Sequence, residues 1–273
     1  MGANIHQLQQ SLEALEAQAA QLVHHFSSLY QDYLRELGAS VSKQLMRAAY
    51  HLCTQTEPQA FVGLSLSQQQ SLQQGLQRLG WQLQQSLLQT LRDTLVADAQ
   101  RMVPEHLVLA IHSIEDTIVA VLQQTSRDAN YLLQDHQILE IQSMDALFKI
   151  AAQADEAGRP ITSPPHLLKA LVEAKESELE EDNVPVVAIY LQITDIELAD
   201  SELMAWRHQL RQATQQLMAL NKDFVQKQKA RTTAEAEAAW RASWFPYSPE
   251  KTPTISDENE CVESDDKEEG REP

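Results

Sequence analysis

The chain is poor in the residues that sheets and disulfide frameworks require. Seven glycines and 5% aromatics in 273 residues argue against a sheet-rich fold, which draws on turn glycines and on β-branched and aromatic side chains. Two cysteines, Cys53 and Cys261, make no disulfide framework and fit a reducing compartment, so a cytoplasmic location is expected. No stretch of roughly eighteen consecutive apolar residues is present to span a membrane. The start, MGANIHQLQQSLEALEAQ, lacks the basic segment and apolar core of a signal peptide. Cations are scarce as well: 21 Lys and Arg face 39 Asp and Glu, a formal net charge of −18. A surface this acidic is ill suited to neutralising phosphates, and no nucleic-acid partner is expected.

What the chain does have is helix-forming apolar and neutral residues, with 43% hydrophobic content that suffices for a core. The expected fold class is all-α, an elongated multi-helix bundle with coiled-coil-like long helices. Leu8, Leu12, Leu15, Ala19, Leu22, Phe26, Leu29 and Tyr33 alternate steps of four and three, one seam of a helix that runs through residues 5–53. Gly38 is a weak point where this helix is expected to bend or break. Ser67 with Gln70 matches a capping box ahead of a leucine stripe from Leu72 to Leu95 that continues to about Arg101. Pro104 suits the first turn of a third helix carrying Leu107, Ile111, Ile114, Ile118 and Leu122, which residues 126–130 interrupt.

Further on, helical patterning resumes over 131–157 and stops at Gly158 and Pro160, and Ser163-Pro164-Pro165 opens another helix, to about Leu179. Residues 184–194 are β-branched and partly alternating, which leaves one short extended segment and a buried helix as open alternatives. Asp200 or Ser201 caps a last long helix with Trp206, Leu210, Ala213, Leu217, Leu220 and Phe224 in the same four-three spacing as the first. These two helices are expected to pack together, antiparallel. The division that follows is a helical bundle at 1–232, a short aromatic helix or docking segment at 233–245, and a disordered acidic tail at 246–273. The tail holds ten acids and three bases, too much charge for a core.

Three pieces, AAYHLCTQ at 48–55, AIYLQITDIELAD at 188–200 and AEAEAAWRASW at 234–244, resemble a helical family found in cyanobacteria for which no function is assigned. The resemblance implies a cytoplasmic bacterial protein and transfers no functional residues.

Chemistry-bearing patterns are sparse. Di-metal carboxylate bundles use Glu-x-x-His on two helices, whereas this chain has the reverse, His112 with Glu115, near Glu105 and His106. His24 and His25 lie near Asp32 and Glu36, but adjacent helix positions point about 100° apart and cannot serve one ion. Cys53 beside His51 has no recognisable base or oxyanion donors, and G-x-S-x-G, P-loop and G-x-G-x-x-G signatures are missing. No catalytic, metal or cofactor site is therefore assigned. Lys222, Lys227, Lys229 and Arg231 read as the solvated side of a helix, and no stripe has the Lys/Arg-rich polar face of a peripheral membrane helix. The informative feature is Trp240, Trp244, Phe245 and Tyr247, four aromatics in eight residues. Trp240 and Trp244 at i, i+4 share one helix face, as in a peptide that anchors in an apolar groove. They dock either on this bundle or on another molecule. The expectation is a non-enzymatic interaction or adaptor protein that binds a protein partner or itself, as a possible homodimer. The alternative is a small-ligand-binding helical protein, its pocket under residues 61–66 or around His106 and His112.

Overall fold

A helix that carries one unbroken apolar seam needs partners along its length, and the chain supplies three. The computed structural model describes residues 2–96, 103–140, 166–173 and 183–244. Helix α1 (Gly2–His51) is followed by a π turn at Leu52–Thr56, α2 (Pro58–Gly63), α3 (Leu66–Leu91), a second π turn at Arg92–Val96 and α4 (Pro104–Asp135). Strands β1 (Leu167–Glu173) and β2 (Asn183–Ile189), the short α5 (Ile193–Leu198) and α6 (Ser201–Ala242) complete the described part.

The chain is all-α in the main, with a bundle of α1, α3, α4 and α6 around one core. That core holds Phe26, Tyr30, Tyr33, Leu37 and Leu45 of α1 together with Leu76, Leu87, Ile114, Ile118 and Leu217. Helix α1 does not break at Gly38. Instead α3 crosses it closely there: a Cβ on Gly38 would stand 2.6 Å from Gln84 Cβ, and one on Gly80 would stand 2.3 Å from Ser42 Oγ. The glycine is a contact point rather than a hinge, and Gln84 Nε2 reinforces it by donating to the Arg35 carbonyl at 2.9 Å.

Several local expectations shift. The capping box of α3 uses Ser65 and Gln68, two residues ahead of the Ser67–Gln70 pair, because Leu64 is extended and Ser65 is the last non-helical residue. Residues 126–130 do not interrupt α4, which runs through them to Asp135. The segment expected as a helix from 165 contains a strand from Leu167 to Glu173, paired antiparallel with β2 from Leu167 opposite Ile189 to Glu173 opposite Asn183. The extended alternative thus holds for 183–189, whereas 193–198 is helical. The helix and stop expected over 143–160 lie outside the described residues, as does the acidic tail.

The polar residues of α4 explain both the unbroken helix and the strand. Asn130 faces β2 and exchanges two bonds with one residue, its Nδ2 donating to the Ile189 carbonyl and its Oδ1 accepting from the Ile189 N–H, both at 2.8 Å. Ser126 Oγ accepts from Leu191 N at 3.0 Å. A two-stranded sheet would leave backbone groups unpaired at its inner edge, and α4 supplies them from side chains.

Levels along the bundle define its ends. Tyr33 of α1 meets Arg207 of α6, and Leu22 shares a groove with Leu220, so α1 and α6 run antiparallel. Glu115 of α4 meets Tyr30. Carried along the axis, this places Pro104 level with about residue 19 of α1, and the Gly38–Gln84 contact places the end of the second π turn level with about residue 26. Before that level, α1 has α6 alone beside it among the described residues. Among the described residues, 2–18 and 222–244 thus form a two-helix arm, about 25 Å long over the α1 part, on a four-helix body.

Asn130→Leu keeps the side-chain size but orphans both Ile189 backbone groups. We expect a loss of at least about 1–3 kcal/mol, read as a lower urea midpoint at unchanged m-value.

Candidate interaction surface

Two regions of the described structure concentrate side chains with chemical capacity: a polar junction inside the body and the aromatic end of α6. The junction is centred on Arg207. Its Nε donates to Glu197 Oε1 at 2.6 Å and its Nη1 to Glu115 Oε1 at 2.7 Å. Tyr33 donates to Glu197 at 2.7 Å, Tyr30 donates to Glu115 at 2.5 Å, and Arg207 Nη2 donates to the Tyr33 hydroxyl. The guanidinium carbon also sits 4.5 Å from the centre of the Tyr33 ring. Side-chain exposures are 13% for Arg207, 11% for Glu197 and 34% for Glu115.

Burial pushes both phenols above the usual tyrosine range, and the facing carboxylates add to this against the opposing Arg207 charge. Tyr30 and Tyr33 therefore remain donors. Burial disfavours the Arg207 cation, but Tyr33, Glu115 and Glu197 outweigh it and hold its pKa above the usual value. Through Glu115 Oε1 and Glu197 Oε1, each of which accepts from Arg207 and from a tyrosine, the arrangement joins α1, α4, α5 and α6. Sequence reasoning did not single out this network. Its trace was a tyrosine with a polar tip on an apolar seam, which requires a buried partner.

The other candidates separate. Glu115 turns to Arg207 and Tyr30, while His106 and His112 are exposed. His24 and His25 are exposed too, and Asp32 pairs with Arg35 at 3.2 Å. Among the described residues no group of three or more His, Cys, Asp or Glu could hold a metal ion. Cys53 is buried, and burial pushes its thiol up to about 11, which leaves little thiolate at neutral pH. It lines an apolar cavity of about 220 Å³ with Met46, Phe61, Leu72 and Leu76, between the end of α1, α2 and the start of α3. Phe61 covers this cavity, while Val62 and Leu66 are exposed. At the junction of β1 with the body, His166 is buried in the left-handed backbone region at φ 66°. Neither of its ring nitrogens has a hydrogen-bond partner.

The aromatic candidates lie at the opposite end from the cavity. Helix α6 continues without a break past Thr232 to Ala242, which carries Trp240 and Trp244 beyond the last fully buried seam residue, Phe224. The two indoles meet edge to face, ring centres 6.0 Å apart, and are 67% and 65% exposed. Phe245 and Tyr247 lie outside the described residues. Lys222, Lys227, Lys229 and Arg231 share the same stretch of α6, where Arg231 pairs with Glu235 at 3.3 Å. No described helix is long and apolar enough to cross a membrane.

Comparison of the chain with protein-family models, with curated proteins and with solved structures gives no match.

Two outcomes follow for the buried polar groups. Arg207→Leu leaves Glu197 buried without its cation and is expected to cost about 3–5 kcal/mol; Glu115→Gln, at a more solvated position, is expected to cost about 1 kcal/mol or less. Chemical denaturation of both variants checks the order. For His166, burial lowers the folded-state pKa below 6.5, with Asp195 opposing and Arg47 assisting. The unfolded chain then binds the proton first, so stability falls as pH drops through 6.5 and levels off below the folded value. His166→Asn, which tolerates the same backbone, is expected to flatten that part of the stability–pH curve.

Proposed function

We propose that this protein is a non-enzymatic helical interaction protein, an adaptor whose bundle serves as a rigid body and whose aromatic α6 end binds a protein. The observation that carries the reading is the exposure of Trp240, in the last turn of a continuous helix, and of Trp244 just past its end, with the two indoles in contact. Tryptophan has a large apolar area and few rotatable bonds, so it contributes much contact at small entropic cost, and it is enriched where interfaces concentrate their energy. A helix presenting two indoles at i, i+4 suits an apolar groove on a partner. The interior junction supports the same reading from another direction. Its acids and its cation are committed to one another, which leaves the body a scaffold.

A second reading has its own observation. The cavity of about 220 Å³ beside Cys53 and Phe61 has room for a small apolar ligand of roughly one aromatic ring. Native mass spectrometry of the purified protein tests it, since a stoichiometric bound species would favour ligand binding over the adaptor reading.

Affinity capture with the full chain and with a chain ending before Ala234 tests the leading reading. We expect the shorter chain to lose at least one stoichiometric partner. Identical partner sets would remove the α6 end from the function.

A further inference from the structure

Among the described residues the arm is incomplete as a packed unit. Two helices cover a seam on one side each, and Leu8, Leu15 and Leu22 remain half-buried, although their spacing would bury them in a larger bundle. Burial on α6 steps in sevens, through Leu203, Leu210, Leu217 and Phe224 and through Ala213 and Leu220. Positions seven apart therefore keep one orientation to the seam. Three such repeats from Gln216 lead to Glu237, and Trp240 lies one turn beyond it on that side of α6, with Trp244, just past the helix end, against its indole.

That side also carries a groove. At the root of the arm Gln216 and Leu220 of α6, with Gln18, Gln21, Leu22 and His25 of α1, line a depression of about 330 Å³. The tip of the arm thus presents two indoles, and the root, on the same side, presents a groove floored by leucines and rimmed by amides. The levels of Trp244 and Gln216 differ by about 40 Å along α6.

The surface between them is balanced in charge. Stepping by sevens from the groove along α1 gives Ser11, Ala14 and Gln7, and along α6 gives Ala230 and Ala234, with Asp223 and Glu237 offset by Lys227 and Arg241. Residues 2–18 carry two glutamates, and residues 222–244 carry five Lys and Arg and three Asp and Glu, so the arm is net neutral in a chain of −18. Two copies of the body repel; two arms do not.

We infer that the occupant of this surface is a second copy of the chain, which deepens the proposed function and rests on it. The arms pair antiparallel about a two-fold axis near Ala230, so that Trp240 and Trp244 of each copy seat in the root groove of the other. Antiparallel pairing is the arrangement that matches tip to root twice at once, and a two-fold interface must be self-complementary. The four helices then cover the half-buried leucines, the groove amides accept from the indole N–H groups, and Ala230 permits close approach at the axis. The bodies point outward at opposite ends, where their like charges are farthest apart.

Light scattering coupled to size exclusion, over low to high micromolar full-length protein, tests the inference. A mass of two chains is expected, with W240A/W244A raising the dissociation constant at least about tenfold at unchanged helical circular dichroism. A disulfide test in a Cys261→Ser background fixes the geometry: Ala230→Cys should crosslink to itself, and Ala239→Cys, half a turn of the helix away from Ala230, should not. A single-chain mass at every concentration, or equal crosslinking at both positions, would overturn the inference. If the chain is monomeric yet captures a different protein through Trp240 and Trp244, the self-pairing fails while the adaptor reading stands.

Discussion

The constraint on which the rest of the structure depends is the place of one buried cation. Arg207 must reach Glu197 and Glu115 with two different nitrogens and lie over the Tyr33 ring, and these residues belong to α5, α4 and α1. A guanidinium fork is planar and fixed, so it accepts few relative placements of its partners. A nonpolar cluster of similar volume would be as stable or more so, since burying ions carries a heavy desolvation cost. What the network adds is a condition on register. If α6 slid by one repeat of seven along α1, the apolar seam would pack nearly as well, but Arg207 would lose both carboxylates. The junction therefore sets how far α6 overhangs the body, and with it the length of the arm.

The same logic recurs at the sheet. A lone hairpin is marginal in water, and the hairpin of β1 and β2 persists because Asn130 and Ser126 complete its inner edge from α4. In both places a small polar set inside an apolar interior makes one arrangement acceptable and its neighbours costly. The arm has no comparable device among the described residues. Its seam is leucine, alanine and phenylalanine, and its rims are glutamine, lysine and glutamate, which tolerate several partners.

Periodicity made the long helices legible. Leu8 to Tyr33 and Trp206 to Phe224 named the α1–α6 pairing because a seam of that length must be covered, and Asp200 marked the start of α6 through its capping chemistry. What the sequence obscured were the places where tertiary contact overrides local preference. Gly38 looked like a break because an isolated helix has no α3 crossing it. Residues 126–130 looked like an interruption because Ser126 and Asn130 are poor in a solvated helix, yet here they bond to a strand some sixty residues later. The segment from 165 looked helical because proline and leucine open many helices, whereas a strand partner twenty residues on cannot be seen locally. The Arg207 junction was invisible for a related reason: its members lie as far apart as Tyr33 and Arg207, and no spacing rule links them.

The aromatic end was legible as a feature but not as a geometry. Four aromatics beside an acidic tail could have formed a separate segment folded back on the bundle. Continuity of α6 through Thr232 changes what they can do. On a helix held by the body, Trp240 and Trp244 are presented in one fixed relation to the groove at Leu22 and Leu220, so little ordering entropy is left to lose on binding. On a loose segment the same side chains could reach many surfaces and would specify none. The charge distribution would act in the same direction in the proposed pairing, because like charge on two bodies opposes their contact and the arm is net neutral. Under the proposed pairing, register fixed deep in the body and neutrality at the arm would combine to confine recognition to one end of the molecule.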